Sequence, residues 1–150
     1  MGCAPSIVFT VIGASYGTAK SAGAIFSSGI IGPDRLMQNT CLCAIMAQIL
    51  SIHGLVSSVI IQGDLEEKMS LYQGFVRFGA GISVGLCGLA AGFAIGIVGD
   101  AGVRASTQQP HLYIGLVLIL IFAGVLGLYG VVVFVLMRAR SRQNMRQCLY

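Results

Sequence analysis

Few side chains of this sequence could take part in a chemical reaction, and most of them lie within or beside long apolar segments. The chain has five cysteines, an odd number, and no two of them form the C-x-x-C pair typical of metal or redox sites. Neither a nucleophile next to a base nor a glycine-rich phosphate loop is evident. We therefore expect no enzymatic site, no metal site and no cofactor.

Three polar residues stand out against their apolar surroundings: Gln48, His53 and Asp100. A glutamine inside an apolar helix usually hydrogen-bonds to another helix, and we expect that role for Gln48. Histidine changes its charge near neutral pH, which makes His53 a candidate proton carrier, although we favour a packed or partnered histidine. Asp100 ends an apolar segment, and we interpret it as a helix cap or an interfacial residue.

The composition indicates that lipid, not water, surrounds much of the chain. Of 150 residues, 56% are hydrophobic and 9% are charged, whereas a soluble domain has roughly a quarter charged residues. The net charge is +4, and a tail over residues 138–150 contains Arg138, Arg140, Arg142 and Arg146. Such a tail suits the anionic head groups of a bilayer, and we expect no nucleic-acid partner because no basic patch is interleaved with aromatic residues.

Four apolar segments are long enough to cross a bilayer, since about 20 apolar residues span a hydrocarbon core of roughly 30 Å. They cover approximately residues 4–31, 41–62, 74–99 and 112–137. The breaks between them fall at residues 33–35, 64–68 and 105–110. We therefore predict an all-α membrane protein with four transmembrane helices in a single domain, residues 1–150.

The four segments form two similar pairs. Residues 47–54 match residues 123–130 at an offset of about 76, and Pro33 is related to Pro110 at about 77. These matches predict two duplicated hairpins, the first over about 4–62 and the second over about 74–137. Gln48 and position 124 are equivalent in the two repeats.

Glycines form a stripe along the third segment, where they recur every three or four residues and so share one helical face. They are Gly81, Gly85, Gly88, Gly92, Gly96 and Gly99. Gly13 and Gly17 continue the pattern in the first segment. Because helices in lipid associate by close backbone approach at small residues, we expect these glycines to pack helix against helix. The bulkier second and fourth segments are expected to lie outside.

Several stretches resemble the proteolipid (c) subunits of V-type proton ATPases. The third segment and the Gly-Asp-Ala-Gly stretch around Asp100 resemble the third helix of that family, and residues 16–21 resemble its first helix. Residues 118–130 are similar to its fourth helix, with one large departure. Gly124 stands where that family carries its proton-binding glutamate. Some members of the family keep a carboxylate at the position of Gln48 instead.

This resemblance implies a subunit of the rotor ring, which moves protons while other subunits hydrolyse ATP. The implied partners are further proteolipid copies in a homo- or hetero-oligomeric ring, the stator and central-stalk subunits, and the bilayer. The implied location is a vacuolar, lysosomal or other acidic endomembrane. A carboxyl group at the bilayer centre stays protonated until a cation is near. Gly124 has no titratable atom, so we expect that this chain cannot carry a proton there.

Two other functions fit the same residues. The chain could be a non-pumping structural or degenerate proteolipid homologue, or a tetraspan channel-like membrane protein. Its orientation is also open, because the positive-inside rule puts the arginine tail in the cytosol while the resemblance puts both termini in the lumen. The first residues fit the pattern for N-myristoylation at Gly2.

Overall fold

The structure, a computed structural model, describes residues 2–33, 36–63 and 71–148, with Leu36 and residues 144–148 described by their backbone alone. It contains four α-helices, named in chain order. They are α1 (Cys3–Gly29), α2 (Leu36–Gly63), α3 (Leu71–Gln108) and α4 (Leu112–Cys148). No strand occurs in the described ranges, and the predicted all-α fold is confirmed.

Three helices of the described chain are long and apolar enough to cross a membrane. They cover Met37–Gly63, Leu71–Gln108 and Leu112–Gln143. α1 is not among them, because Lys20 and several serines and threonines lower its mean hydropathy. Their hydroxyls are largely satisfied within the helix; Thr10 Oγ1, for example, donates to the carbonyl of Ser6 at 2.7 Å.

α3 and α4 are longer than the segments predicted for them. The break predicted at residues 105–110 covers only residues 109–111, because α3 continues to Gln108. α3 ends just before Pro110, since a proline interrupts helical hydrogen bonding. The tail predicted after residue 137 is helical as far as Cys148. The break at 64–68 lies outside the described residues, as do Asp34 and Arg35 of the break at 33–35.

α1 and α3 form the most extensive helix–helix interface, with α2 beside α1 and α4 beside α3. A central apolar cluster joins all four helices and includes Ala14, Leu50, Ile95 and Leu120. A second cluster lies nearer the end where α2 stops, and it contains Ile61, Ala80, Val84 and Phe134. The core is thus narrow and runs along the bundle.

Large apolar side chains remain exposed on the outer faces of α2 and α4. Phe122 is 72% exposed and Leu136 is 64% exposed. Others on these faces are Ile45, Ile52, Leu55, Val59, Ile114, Leu118, Ile119, Leu128 and Val135. A soluble monomer rarely leaves so much apolar surface uncovered, whereas lipid or neighbouring membrane helices cover it without cost.

Candidate functional site

Gly124 lies in the middle third of α4 and is half-buried. A Cβ placed on this glycine would have no atom of another residue's side chain or another element within 4 Å. The space beside the backbone is therefore open. A Cβ can therefore be added at this position without a clash with another helix.

The next two glycines of α4 are in tight contact with other helices. A Cβ on Gly127 would lie 2.5 Å from Cδ2 of Leu50, and a Cβ on Gly130 would lie 2.6 Å from Cβ of Cys87. Both glycines are buried. α4 thus packs on α2 at Gly127 and on α3 at Gly130, while Gly124 sits at the margin of that contact.

The structure places Gln48 and His53 on different sides of α2. Gln48 is exposed, whereas its neighbours Ala47 and Leu50 are fully buried. The expectation of a buried amide that hydrogen-bonds to another helix is therefore wrong within this chain. The reason is the position of residue 48 around the helix axis. The buried face of α2 contains residues 43, 47, 50 and 54, and position 48 lies on the opposite side.

His53 faces α4 and is half-buried. Its Nδ1 lies 3.9 Å from the position of a Cβ on Gly127. That nitrogen is buried and has no hydrogen-bond partner among the described residues. The structure therefore brings His53 close to the glycine one turn beyond Gly124, and it does not bring Gln48 there.

Asp100 lies inside α3, eight residues before Gln108, so the helix-cap interpretation is wrong. Its Oδ1 accepts a hydrogen bond from Nε of Arg104 at 3.0 Å, and its Oδ2 lies 3.8 Å from Nζ of Lys20. The three side chains are partly exposed. This ion-pair group ties α1 to α3 and lies outside the buried stripe of either helix.

One buried polar contact was missed by the sequence reasoning. Nδ2 of Asn39 donates to Oγ of Ser106 at 3.2 Å, joining the start of α2 to the end of α3. Asn39 is 2% exposed, and its Oδ1 has no partner within the described part of the chain. No spacing pattern marked these two residues, because a single asparagine and a single serine near helix ends are common.

The eight glycines singled out on the first and third segments are all buried between α1 and α3 or beside their contact. They are Gly13, Gly17, Gly81, Gly85, Gly88, Gly92, Gly96 and Gly99. A Cβ on Gly85 would lie 2.7 Å from the carbonyl oxygen of Pro5, and one on Gly17 would lie 3.1 Å from that of Gly92. Backbone therefore contacts backbone across this interface.

The described residues contain no group of three or more His, Cys, Asp or Glu side chains arranged to hold a metal ion. Their cysteines with described side chains, Cys3, Cys41, Cys43 and Cys87, are free thiols. What distinguishes the region around Gly124 is therefore its shape and position in the helix. The Cβ position of Gly124 is open, and His53 lies one turn further along, beside Gly127.

Comparison with known proteins gives a consistent result. The family model for the ATP synthase C subunit matches residues 1–61 and 78–137. The chain is 56% identical to the V-type proton ATPase c subunit of Candida tropicalis over 144 residues, which cover 96% of this chain and 89% of that one. It is 54% identical to the V-type proton ATPase 16 kDa proteolipid of Nephrops norvegicus, with 94% and 89% covered. It is 51% identical to the corresponding 16 kDa proteolipid of Homo sapiens, with 93% and 90% covered.

Those matches cover nearly the whole chain and include most of each of the four helices. The chain therefore belongs to the ATP synthase C subunit family, among the proteolipid c subunits of V-type proton ATPases.

Proposed function

We propose that this chain is a subunit of the membrane rotor ring of a V-type proton ATPase, and that with glycine at position 124 it cannot carry a proton there. The observation that supports the second part is that glycine has no titratable atom and that no other helix places an atom within 4 Å of its Cβ position. No other described side chain supplies a carboxylate to that space. As a ring subunit the chain is not an enzyme by itself, and ATP hydrolysis belongs to other parts of the complex.

The acidic residues of the chain are badly placed to replace the missing carboxylate. Asp100 is the one acidic residue within the described ranges, and it is paired with Lys20 and Arg104. The other four are Asp34, Asp64, Glu66 and Glu67, which lie in sequence between the helices. None of the five is part of α2 or α4.

The chemistry of the bilayer centre explains why a carboxylate matters there. Charge at the centre of a membrane helix costs about 2.5 kcal/mol or more, so a carboxyl group stays neutral in lipid and ionises only beside a cation. This switch lets one group bind and release a proton as its surroundings change. A glycine has no group that can bind and release a proton. A neighbouring copy in the ring would have to supply the carboxyl group.

The packing supports a place in a ring. α1 and α3 share a glycine-lined interface, while α2 and α4 expose apolar side chains outward. We propose that copies of this chain or related proteolipids contact those outer faces, and that stator and central-stalk subunits complete the assembly. We also propose an acidic endomembrane, vacuolar or lysosomal, as the location. The division into repeats at about 4–62 and 74–137 is supported by the two segments that the family model matches.

The second candidate function is a structural or degenerate proteolipid that does not pump. The two candidates differ in whether the chain is assembled into an intact ATPase complex. A tagged copy that co-purifies with the complete ATPase would support the ring subunit, and a copy that never does so would support the degenerate homologue.

Complementation tests the proton-carrying part. Cells deprived of their own proteolipid would express the chain as written, Gly124→Glu, or Gly115→Glu. Gly115 is a matched control because it lies on α4, is half-buried and also has open space at its Cβ position, but faces the opposite side of the helix nine residues earlier. We expect organelle acidification with Gly124→Glu alone. Acidification by the chain as written would refute the proposal and direct attention to His53.

A further inference from the structure

α3 and α4 form a cleft at the end of the bundle where α2 stops, and arginines line it. We call this the basic cleft. Its polar lining consists of Gln73, Arg77, Arg138, Ser141 and Arg142. Its apolar floor consists of Ile61, Val76, Ala80 and Phe134.

Helical spacing explains how these side chains meet. Gln73 and Arg77 are four residues apart on α3, and Arg138 and Arg142 are four residues apart on α4. Residues at that spacing lie one above the other on the same helical face. The two rows therefore border one cleft, with buried polar groups at Gln73 and Ser141, which are 6% and 9% exposed.

The electrostatics of this end are positive. The described side chains of residues 71–80 and 134–143 include four arginines, at positions 77, 138, 140 and 142, and no acidic residue. Arg77, Arg138 and Arg142 already interact with other groups of the chain. An arginine has five N–H donors in one planar group, so a single guanidinium can contact more than one acceptor.

We propose that the basic cleft binds the phosphate of an anionic phospholipid from the adjoining leaflet. Guanidinium groups bind phosphate oxygens with paired hydrogen bonds, and clusters of arginine beside a membrane span attract anionic head groups. The apolar floor favours a lipid over soluble phosphate, because acyl chains can cover Val76 and the exposed apolar side chains beside it. The proposal does not depend on proton transport by this chain.

Native mass spectrometry of the purified full chain tests it. The protein in detergent would be offered equal amounts of phosphatidylglycerol and phosphatidylcholine, and the ratio of bound lipids measured. We expect a clear preference for phosphatidylglycerol. In Arg138→Gln/Arg142→Gln that preference should fall by roughly 25-fold, at about fivefold for each arginine near the membrane surface.

Arg140→Gln is the matched control. It removes the same charge from the same helix, but Arg140 lies two residues from each cleft arginine and does not line the basic cleft; it lines an adjoining cleft with Tyr72 and Leu136. We expect it to leave most of the preference intact. Arg138→Lys should give an intermediate loss of the preference for phosphatidylglycerol, because it keeps the charge but removes the planar guanidinium group.

Three results would overturn the proposal. The first is equal binding of the two lipids to the unmodified chain. The second is a loss in Arg140→Gln as large as in the double variant, which would indicate general surface charge. The third is displacement of bound phosphatidylglycerol by millimolar inorganic phosphate, which would indicate a soluble anion as the ligand.

Discussion

Gly13 of α1 lies so close to Gly88 of α3 that a Cβ on Gly13 would be 2.7 Å from the carbonyl oxygen of Gly88. A main-chain oxygen cannot rotate away as a side chain can. The interface between α1 and α3 therefore requires a residue without a side chain at position 13. Gly23 on the same helix has no atom of another element within 4 Å of its Cβ position.

Gly13→Ala should destabilise the purified chain, and Gly23→Ala should not. Overpacking of a tight contact costs about 1–3 kcal/mol. Alanine in an exposed helix interior is favoured over glycine by up to about 1 kcal/mol. The two variants should therefore shift the thermal unfolding midpoint in detergent in opposite directions. A similar rise in both would show that the α1–α3 contact is looser than these distances indicate.

Gly127→Ala should be coupled energetically to Leu50→Ala. The new methyl group would meet Cδ2 of Leu50, which is fully buried and has little room to move. Removing that side chain opens the space, so the double variant should be more stable than the sum of the single changes by about 0.5–3 kcal/mol. Gly124→Ala with Leu50→Ala is the control pair, and its changes should add.

Dicyclohexylcarbodiimide labelling should distinguish the chain from its Gly124→Glu variant. The reagent attacks protonated carboxyl groups in apolar surroundings, and a glutamate at mid-span is protonated because lipid disfavours its charged form. We expect no label within α4 of the unmodified chain and a single label in the variant, located by mass spectrometry of fragments. A label on α4 of the unmodified chain would contradict the absence of a carboxyl group there.

Asp100→Asn should weaken the link between α1 and α3 only slightly. Both cationic partners are at least half exposed, so solvent screens the interactions and their sum is about 1 kcal/mol or less. The effect should shrink further at high salt. A double-mutant cycle with Lys20→Gln measures the interhelical part directly. A loss of several kcal/mol would show that Asp100 is more strongly desolvated than its exposure indicates.

Residue spacing predicted the order of the helices because glycine periodicity and uninterrupted apolar length are properties of the chain itself. It did not predict where the helices end. Ser106 to Gln108 and the arginines after residue 137 are polar, and polar residues do not by themselves end a helix, whereas a proline interrupts it. α3 ends at Gln108, two residues before Pro110, whereas α4 contains no proline.

Contacts between helices were harder to anticipate. The ion pair from Lys20 to Asp100 depends on how far α1 is displaced along α3, and one sequence does not contain that register. Gln48 was misjudged for a related reason: its helix is apolar on most faces, so hydropathy did not show which face is buried. We expected a packed or partnered role for His53, but its buried Nδ1 has no hydrogen-bond partner among the described residues, and that depends on how α2 and α4 pack.

The length of α4 has a mechanical consequence. Its 37 residues run as one helix, which at about 1.5 Å a residue makes a rod of roughly 55 Å, nearly twice the thickness of a hydrocarbon core. The helix is not interrupted between the part inside the lipid and the part beyond it. When the bundle turns about the membrane normal, the far end of α4 must sweep an arc in the aqueous layer. A fluorophore attached there would report the angle of the bundle without entering the membrane.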